Sequence, residues 1–173
     1  MSIKAYRIKI NGIVQGVGFR PHVYRLAMEF GLKGWVLNSP AGVSLEVEGE
    51  ETPLGDFLDR LQKEPPPMAL IRRYDIQEIS PAGFRDFTIK PSDDEREIKV
   101  MISPDIAVCG ECRREVSDPK DRRFGYPFTN CTNCGPRFTI IKDLPYDRAM
   151  TAKASFSMCR ECQAEFNDPS QRR

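Results

Sequence analysis

The sequence predicts an α+β protein. A β-α-β-β-α-β, ferredoxin-like unit spans residues 1–91, a linker follows over 92–105, and a small cysteine-bearing region fills 106–173. Three observations predict this order. Apolar and charged residues alternate over residues 5–14, the period changes to a helical one over 20–30, and strand and helix patterns then recur up to residue 79.

In "AYRIKINGIV", Tyr6, Ile8 and Ile10 share one face and Arg7 and Lys9 the other, the pattern of a half-buried strand. From Arg20 to Phe30, Val23, Leu26, Ala27 and Phe30 fall at i, i+3, i+4, i+7, as on a helix packed on a sheet. Pro21 suits the first turn, where an N–H lacks a partner anyway, and Gly31 suits the C-terminal end. "GWVLN" and "VSLEVEG" read as two strands joined by a short turn at Ser39 to Gly42. Pro53 opens a second helix with Leu54, Phe57, Leu58 and Leu61 on one face, and Pro65 to Pro67 close it. "ALIRRYDIQEI" supplies a fourth strand, and "FTIK" a short edge strand. The expected sheet is antiparallel and four-stranded, with both helices on one face. "PSDDEREIK" reads as a polar, charged linker.

The chain has 173 residues, with 26 basic against 25 acidic ones and a net charge of +1. That balance gives no general attraction to nucleic acid or to an anionic membrane surface. No apolar run approaches bilayer-spanning length, and "MSIKAYRIKI" has no apolar core or cleavage site of a signal peptide. The expected location is therefore the cytoplasm, where six cysteines point to metal rather than to disulfides.

Cys109 and Cys112 form one C-x-x-C turn and Cys131 and Cys134 a second, 18 residues later. That is zinc-ribbon spacing: each turn lets two thiolates face one ion, and two turns complete a tetrahedral four-sulfur shell. With no open coordination position, a structural Zn2+ is the expected occupant. A redox dithiol, an iron–sulfur cluster and unrelated buried cysteines are the competing readings. The motif recurs: Cys159, Glu161, Cys162, Glu165 and Asp168-Pro169 repeat Cys109, Glu111, Cys112, Glu115 and Asp118-Pro119 at an offset of 50, and Arg172-Arg173 repeat Arg122-Arg123. Cys159 and Cys162 are thus candidate metal ligands as well. By the repeat, their partner pair is due about eight and eleven residues past Arg173, so the second site is expected to be incomplete here. Arg113, Arg114, Lys120, Arg122 and Arg123 form a basic cluster, but Glu111, Glu115, Asp118 and Asp121 interleave with it, and a solvated charged face is favoured over a nucleic-acid surface.

"IVQGVGFRPHVYRLA" enters its helix through Gly12, Gly16 and Gly18. A glycine-rich turn lets backbone N–H groups converge, and at a helix N-terminus such a nest is a ready anion site. Arg20 adds a planar fork of donors suited to phosphate oxygens. No Gly-Lys-Ser/Thr follows, so it is not a P-loop, and a tight strand-to-helix turn with a solvated arginine is the competing reading.

The wider string "NGIVQGVGFRPHVYRLAMEFGLKGWVLNSPAGVSLEVEGE" resembles the acylphosphatase signature: G-x-V-Q-G-V-x-F-R, then G-L-x-G-W-V-x-N, then a glycine-led strand. The resemblance implies an acylphosphatase fold whose loop Gln15, Gly16, Val17, Gly18, Phe19 and Arg20 cradles phosphate, with Arg20 binding it and Asn38 positioning the attacking water. It implies no metal or other cofactor in that site. Gly18 is a departure, since many stand-alone members carry an aromatic residue there. His22, the one histidine, is expected to cap or pack rather than catalyse, and Phe19 and Trp35 to belong to the core.

An acylphosphatase signature followed by tandem cysteine turns, with "VQGVGFRP", "PDIAVCGEC", "PFTNCTNCGPRFTI" and "LPYDRAMT", resembles the N-terminal part of the hydrogenase-maturation carbamoyltransferase (HypF) family over nearly the whole chain. This implies carbamoyl phosphate as substrate, hydrolysed to carbamate and phosphate. It implies further YrdC-like and Kae1-like domains that pass the carbamoyl group to HypE for the cyanide ligand of [NiFe] hydrogenase. Two other readings are a stand-alone acylphosphatase whose ribbon binds nucleic acid or protein, and a non-catalytic scaffold. The near-neutral charge weighs against the first and the presence of both Arg20 and Asn38 against the second.

Overall fold

The structure, a computed structural model, describes residues 2–92 and 101–171. Most of the expected linker therefore lies outside the described residues, as do Arg172 and Arg173. The elements run β1 (Ile3–Ile13), α1 (Phe19–Glu29), β2 (Lys33–Ser39), β3 (Gly42–Glu50), α2 (Glu51–Lys63), β4 (Leu70–Ile79), β5 (Phe87–Ile89), α3 (Gly110–Ser117) and α4 (Arg160–Asn167).

The first seven elements build the ferredoxin-like unit. Alternation along β1 puts Ile8 and Ile10 in the core and leaves Arg7 and Lys9 exposed, as a strand with one covered face requires. Leu26 and Ala27 of α1 and Leu54, Phe57 and Leu61 of α2 pack into the same core as Ile8, Val36 and Leu45. Helix α1 ends as expected, with Gly31 at φ 65° just past its cap. Trp35 departs from expectation: it lies on the other side of β2 from buried Val36, half-buried, beneath the Lys90 ammonium 4.3 Å from its ring centroid.

The sheet has five strands in the order β4-β1-β3-β2-β5. Strands β1, β2, β3 and β4 pair antiparallel, as the four-stranded expectation has it. The correction is at the edge: β5 pairs parallel with β2, Trp35 opposite Thr88, so the sheet is mixed. The chain can reach that edge because Glu48, buried on β3, accepts hydrogen bonds from the backbone N–H groups of Ala82, Gly83 and Phe84 and so fixes the preceding loop.

The cysteine-rich region contains two short helices that no apolar periodicity announces. Cys109 caps α3 and Cys159 caps α4, each thiol accepting from the N–H three residues on at 3.5 Å. The sequence repeat is therefore a structural one. Isolated bridges, Ile106 with Gly135 and Ile141 with Thr151, tie the rest together. Among the described residues, no helix is long and apolar enough to cross a membrane.

Candidate active site and cysteine cluster

The loop between β1 and α1 is shaped by two left-handed glycines, Gly16 at φ 71° and Gly18 at φ 77°. Gly18 is the N-cap of α1, which carries no side-chain cap and no acidic residue in its first turn. Among the described residues, the N–H groups of Gly16, Val17, Gly18, Phe19 and Arg20 donate to no other backbone group outside helices and strands. Uncapped, unpaired amides at a helix N-terminus favour an anion. The Val17 and Phe19 side chains are buried beneath and anchor the loop, as expected for Phe19.

Gln15 locks the loop to the sheet: its Nε2 donates to the carbonyls of Ser39 and Gly42 at 2.7 Å each. Its Oε1 accepts from the N–H of Tyr146 at 2.9 Å, in the cysteine-rich region. Asn38, 2% exposed at the end of β2, donates through Nδ2 to the Tyr146 carbonyl at 3.2 Å. Arg20 pairs with the Asp147 carboxylate at 2.6 Å, and Ser92 bonds to the same carboxylate. The residues expected to bind phosphate and to hold water thus meet at two adjacent residues, Tyr146 and Asp147.

Arg137 supplies the other half of this contact. Its guanidinium, 3% exposed, donates to the Gly16 carbonyl and to the carbonyls of Cys131 and Thr132 at 2.8 and 3.1 Å. A Cβ on Gly18 would stand 2.8 Å from Cβ of Thr132, so the space an aromatic residue would need is taken by the cysteine-rich region. Tyr146, Asp147, Arg137 and Thr132 were not singled out by sequence reasoning. All four lie in strings that carried the wider resemblance, but nothing local marks their contacts.

His22 packs against Phe19. Its ring meets Phe19 edge-on with centroids 6.3 Å apart, and burial, then the charges of Arg25 and Arg60, hold its pKa below 6.5.

Cys109, Cys112, Cys131 and Cys134 converge, all four sulfurs lying within 4.8 Å of one another. Three Sγ–Sγ separations are 3.8, 3.8 and 3.6 Å. Four thiolates at about 2.3 Å from a zinc ion would have edges of about 3.8 Å, so the cluster has the size of a tetrahedral zinc–sulfur site. Burial, then crowding by Cys134 and Cys112, pushes the Cys131 thiol up, the electrostatic stress a divalent cation relieves. Cys159 and Cys162 stand apart from this cluster and flank the Arg122 guanidinium, 3.9 and 3.4 Å away. Arg122 and Arg123, two residues of the basic cluster, also pair with Glu165 of the second repeat, Arg122 at the surface and Arg123 partly buried.

Comparison with known proteins matches both regions. The acylphosphatase profile covers residues 6–89 and the HypF finger profile residues 108–141. The acylphosphatase of Thermotoga petrophila is 44% identical over 89 residues, 51% of this chain and 98% of that protein. Carbamoyltransferase HypF of Synechocystis sp. is 47% identical over 154 residues, 89% of this chain and 20% of that protein. A crystal structure of full-length HypF in the phosphate- and nucleotide-bound form superposes on 99% of this chain and 23% of its own with a TM-score of 0.94 at 47% identity. The chain spans about a fifth of the length of the HypF relatives it matches. With that span, and with the two profiles in this order, the chain belongs to the acylphosphatase family and corresponds to the acylphosphatase-and-finger portion of carbamoyltransferase HypF.

Proposed function

We propose that this chain hydrolyses carbamoyl phosphate to carbamate and phosphate, and that this is the first step of the carbamoyl transfer that the longer relatives are named for. The observation that carries the reading is that Arg20 and Asn38 bond to two adjacent residues, Asp147 and Tyr146, next to a Gly16–Arg20 loop whose amides donate to no backbone group outside helices and strands. In this reading the loop amides and Arg20 bind the phosphoryl oxygens and neutralise the charge that builds on them. Asn38 orients a water in line with the bond to the acyl oxygen; an amide has no useful proton affinity, so it positions and does not deprotonate. The water oxygen bonds to phosphorus, the phosphorus–acyl oxygen bond breaks, carbamate leaves with the electron pair, and a phosphate oxygen takes the water's proton. A mixed anhydride has a good leaving group, so positioning and charge stabilisation suffice and no cofactor is needed in this site.

The same proposal divides the chain into a phosphatase domain (1–91), a linker (92–105) and a finger region (106–173), with one structural zinc on Cys109, Cys112, Cys131 and Cys134. In the full-length relatives, carbamate would pass to YrdC-like and Kae1-like domains and on to HypE, all within the cytoplasm. Cys159 and Cys162 are the first half of a second zinc site.

The division of labour is testable. Asn38→Ala should lower kcat at least a hundredfold without weakening competitive inhibition by inorganic phosphate, as expected for loss of a transition-state contact. Arg20→Ala should weaken that inhibition as well. Equal loss of phosphate inhibition in both variants would refute the assigned roles.

A further inference from the structure

The finger region reaches into the phosphate site and leaves a charge there. The Tyr146 backbone is gripped on both sides, its N–H by Gln15 and its carbonyl by Asn38. That grip delivers the next side chain, Asp147, onto Arg20 with Nη2 to Oδ1 at 2.6 Å. Ser92 completes a triangle, lying 3.4 Å from Arg20 Nη1 and hydrogen-bonded to Oδ2 of Asp147. One carboxylate oxygen sits on Nη2 and the other is bridged to Nη1 through Ser92, so the carboxylate takes up donors of the fork that phosphoryl oxygens would use. The pair is partly shielded, with the Arg20 and Asp147 side chains 22% and 31% exposed.

We propose that Asp147 is an internal anionic ligand of Arg20, a positioning residue that occupies the place of the substrate phosphate and is displaced by it. The inference rests on the reading of Arg20 as the phosphate-binding residue. Like charges in contact repel, so phosphate and the Asp147 carboxylate cannot share the Arg20 fork. Rotation of one side chain clears the fork, while the Tyr146 backbone stays gripped and keeps Gln15 and Asn38 oriented. On product formation the carboxylate returns and competes inorganic phosphate off the site. A separate phosphatase domain lacks this competitor, which makes phosphate affinity a property that the finger sets.

The test is titration of inorganic phosphate into the purified whole chain by calorimetry, for wild type, Asp147→Asn and Arg20→Ala. Asp147→Asn preserves shape and removes the charge. It should bind phosphate roughly fivefold more tightly, the scale of one partly exposed ion pair. Simple damage to the site cannot produce that sign. Arg20→Ala should abolish binding. Should Asp147→Asn fail to fold, Ser92→Ala decides, because it loosens the carboxylate and should also tighten phosphate. Unchanged or weaker binding in the folded Asp147 or Ser92 variant, with Arg20→Ala still inactive in binding, overturns this inference alone. Wild-type binding by Arg20→Ala overturns the reading of the site as well.

Discussion

Arg137→Met should uncouple the finger from the phosphatase fold. The guanidinium is almost wholly buried and donates to four carbonyls: Gly16 in the phosphate loop, and Cys131, Thr132 and Pro136 around the second cysteine turn. Methionine keeps much of the apolar stem and removes every donor. Bonds from a cation to buried carbonyls contribute about 1 kcal/mol each after some carbonyls regain water, so four of them give about 4 kcal/mol. That is a large share of the stability of a region this small. At a urea slope of about 1.5 kcal/mol per molar, it lowers the midpoint by about 2.7 M. Two signals separate the halves: Trp35, the one tryptophan, reports the sheet, and release of zinc to a colorimetric chelator reports the finger. The variant should lose zinc at much lower urea while the Trp35 transition stays near its wild-type midpoint. Zinc release at the wild-type midpoint would refute the assignment of Arg137 as the tie.

Two further outcomes follow from the same contacts. The purified chain should hold close to one tightly bound zinc, and stripping it should melt α3 in far-UV dichroism while Trp35 fluorescence persists, since a structural metal's binding energy is folding energy; two tight zincs, or none under reducing conditions, would contradict this. His22 ties stability to pH. Its folded pKa lies below 6.5, through burial first and then Arg25 and Arg60, so its contribution is complete above pH 6.5 and is lost as pH falls below that value and the unfolded chain takes up a proton; a His22→Asn variant should lose less stability between pH 7 and 5 than wild type does, and an equal loss would remove His22 from the account.

The fold was legible where burial is periodic. Tyr6, Ile8 and Ile10 announce β1, and Val23, Leu26 and Ala27 announce α1, because each element presents one face to one core. Strand β5 was legible as a strand but not as a parallel one. Its three residues carry no register of their own, and the pairing follows from where Glu48 pins the preceding loop. Helices α3 and α4 were not legible. They are eight residues each, bury no apolar stripe, and are capped by cysteine rather than by a hydroxyl or carboxylate. The ligand spacing of Cys109, Cys112, Cys131 and Cys134 needed no helix to be read, because the ion's geometry dictates it.

The site was half legible. Arg20, Asn38 and the glycines stand in a long signature, and their placement depends on β1, α1 and β2 alone. The contribution of the finger was invisible, because Tyr146 acts through its backbone and Arg137 binds carbonyls, groups that every residue carries. Asp147 forms an ion pair across the contact, but its partner lies 127 positions away. Gly18 shows the same limit from the other side: its lack of a side chain is explained by Thr132, a neighbour that only the folded chain brings near.

The most direct measurement is phosphate release from carbamoyl phosphate by the purified chain, with acetyl phosphate alongside and with Arg20→Ala and Arg20→Lys as controls. Turnover well above the uncatalysed rate is expected for wild type. Losing a charge-assisted phosphate contact of roughly 3 kcal/mol should cost Arg20→Ala about a hundredfold in rate. Arg20→Lys should fail nearly as badly, because a point charge does not replace the planar fork. Carbamoyl phosphate hydrolysis by Arg20→Ala at the wild-type rate, or none by the folded wild-type chain, would contradict the account.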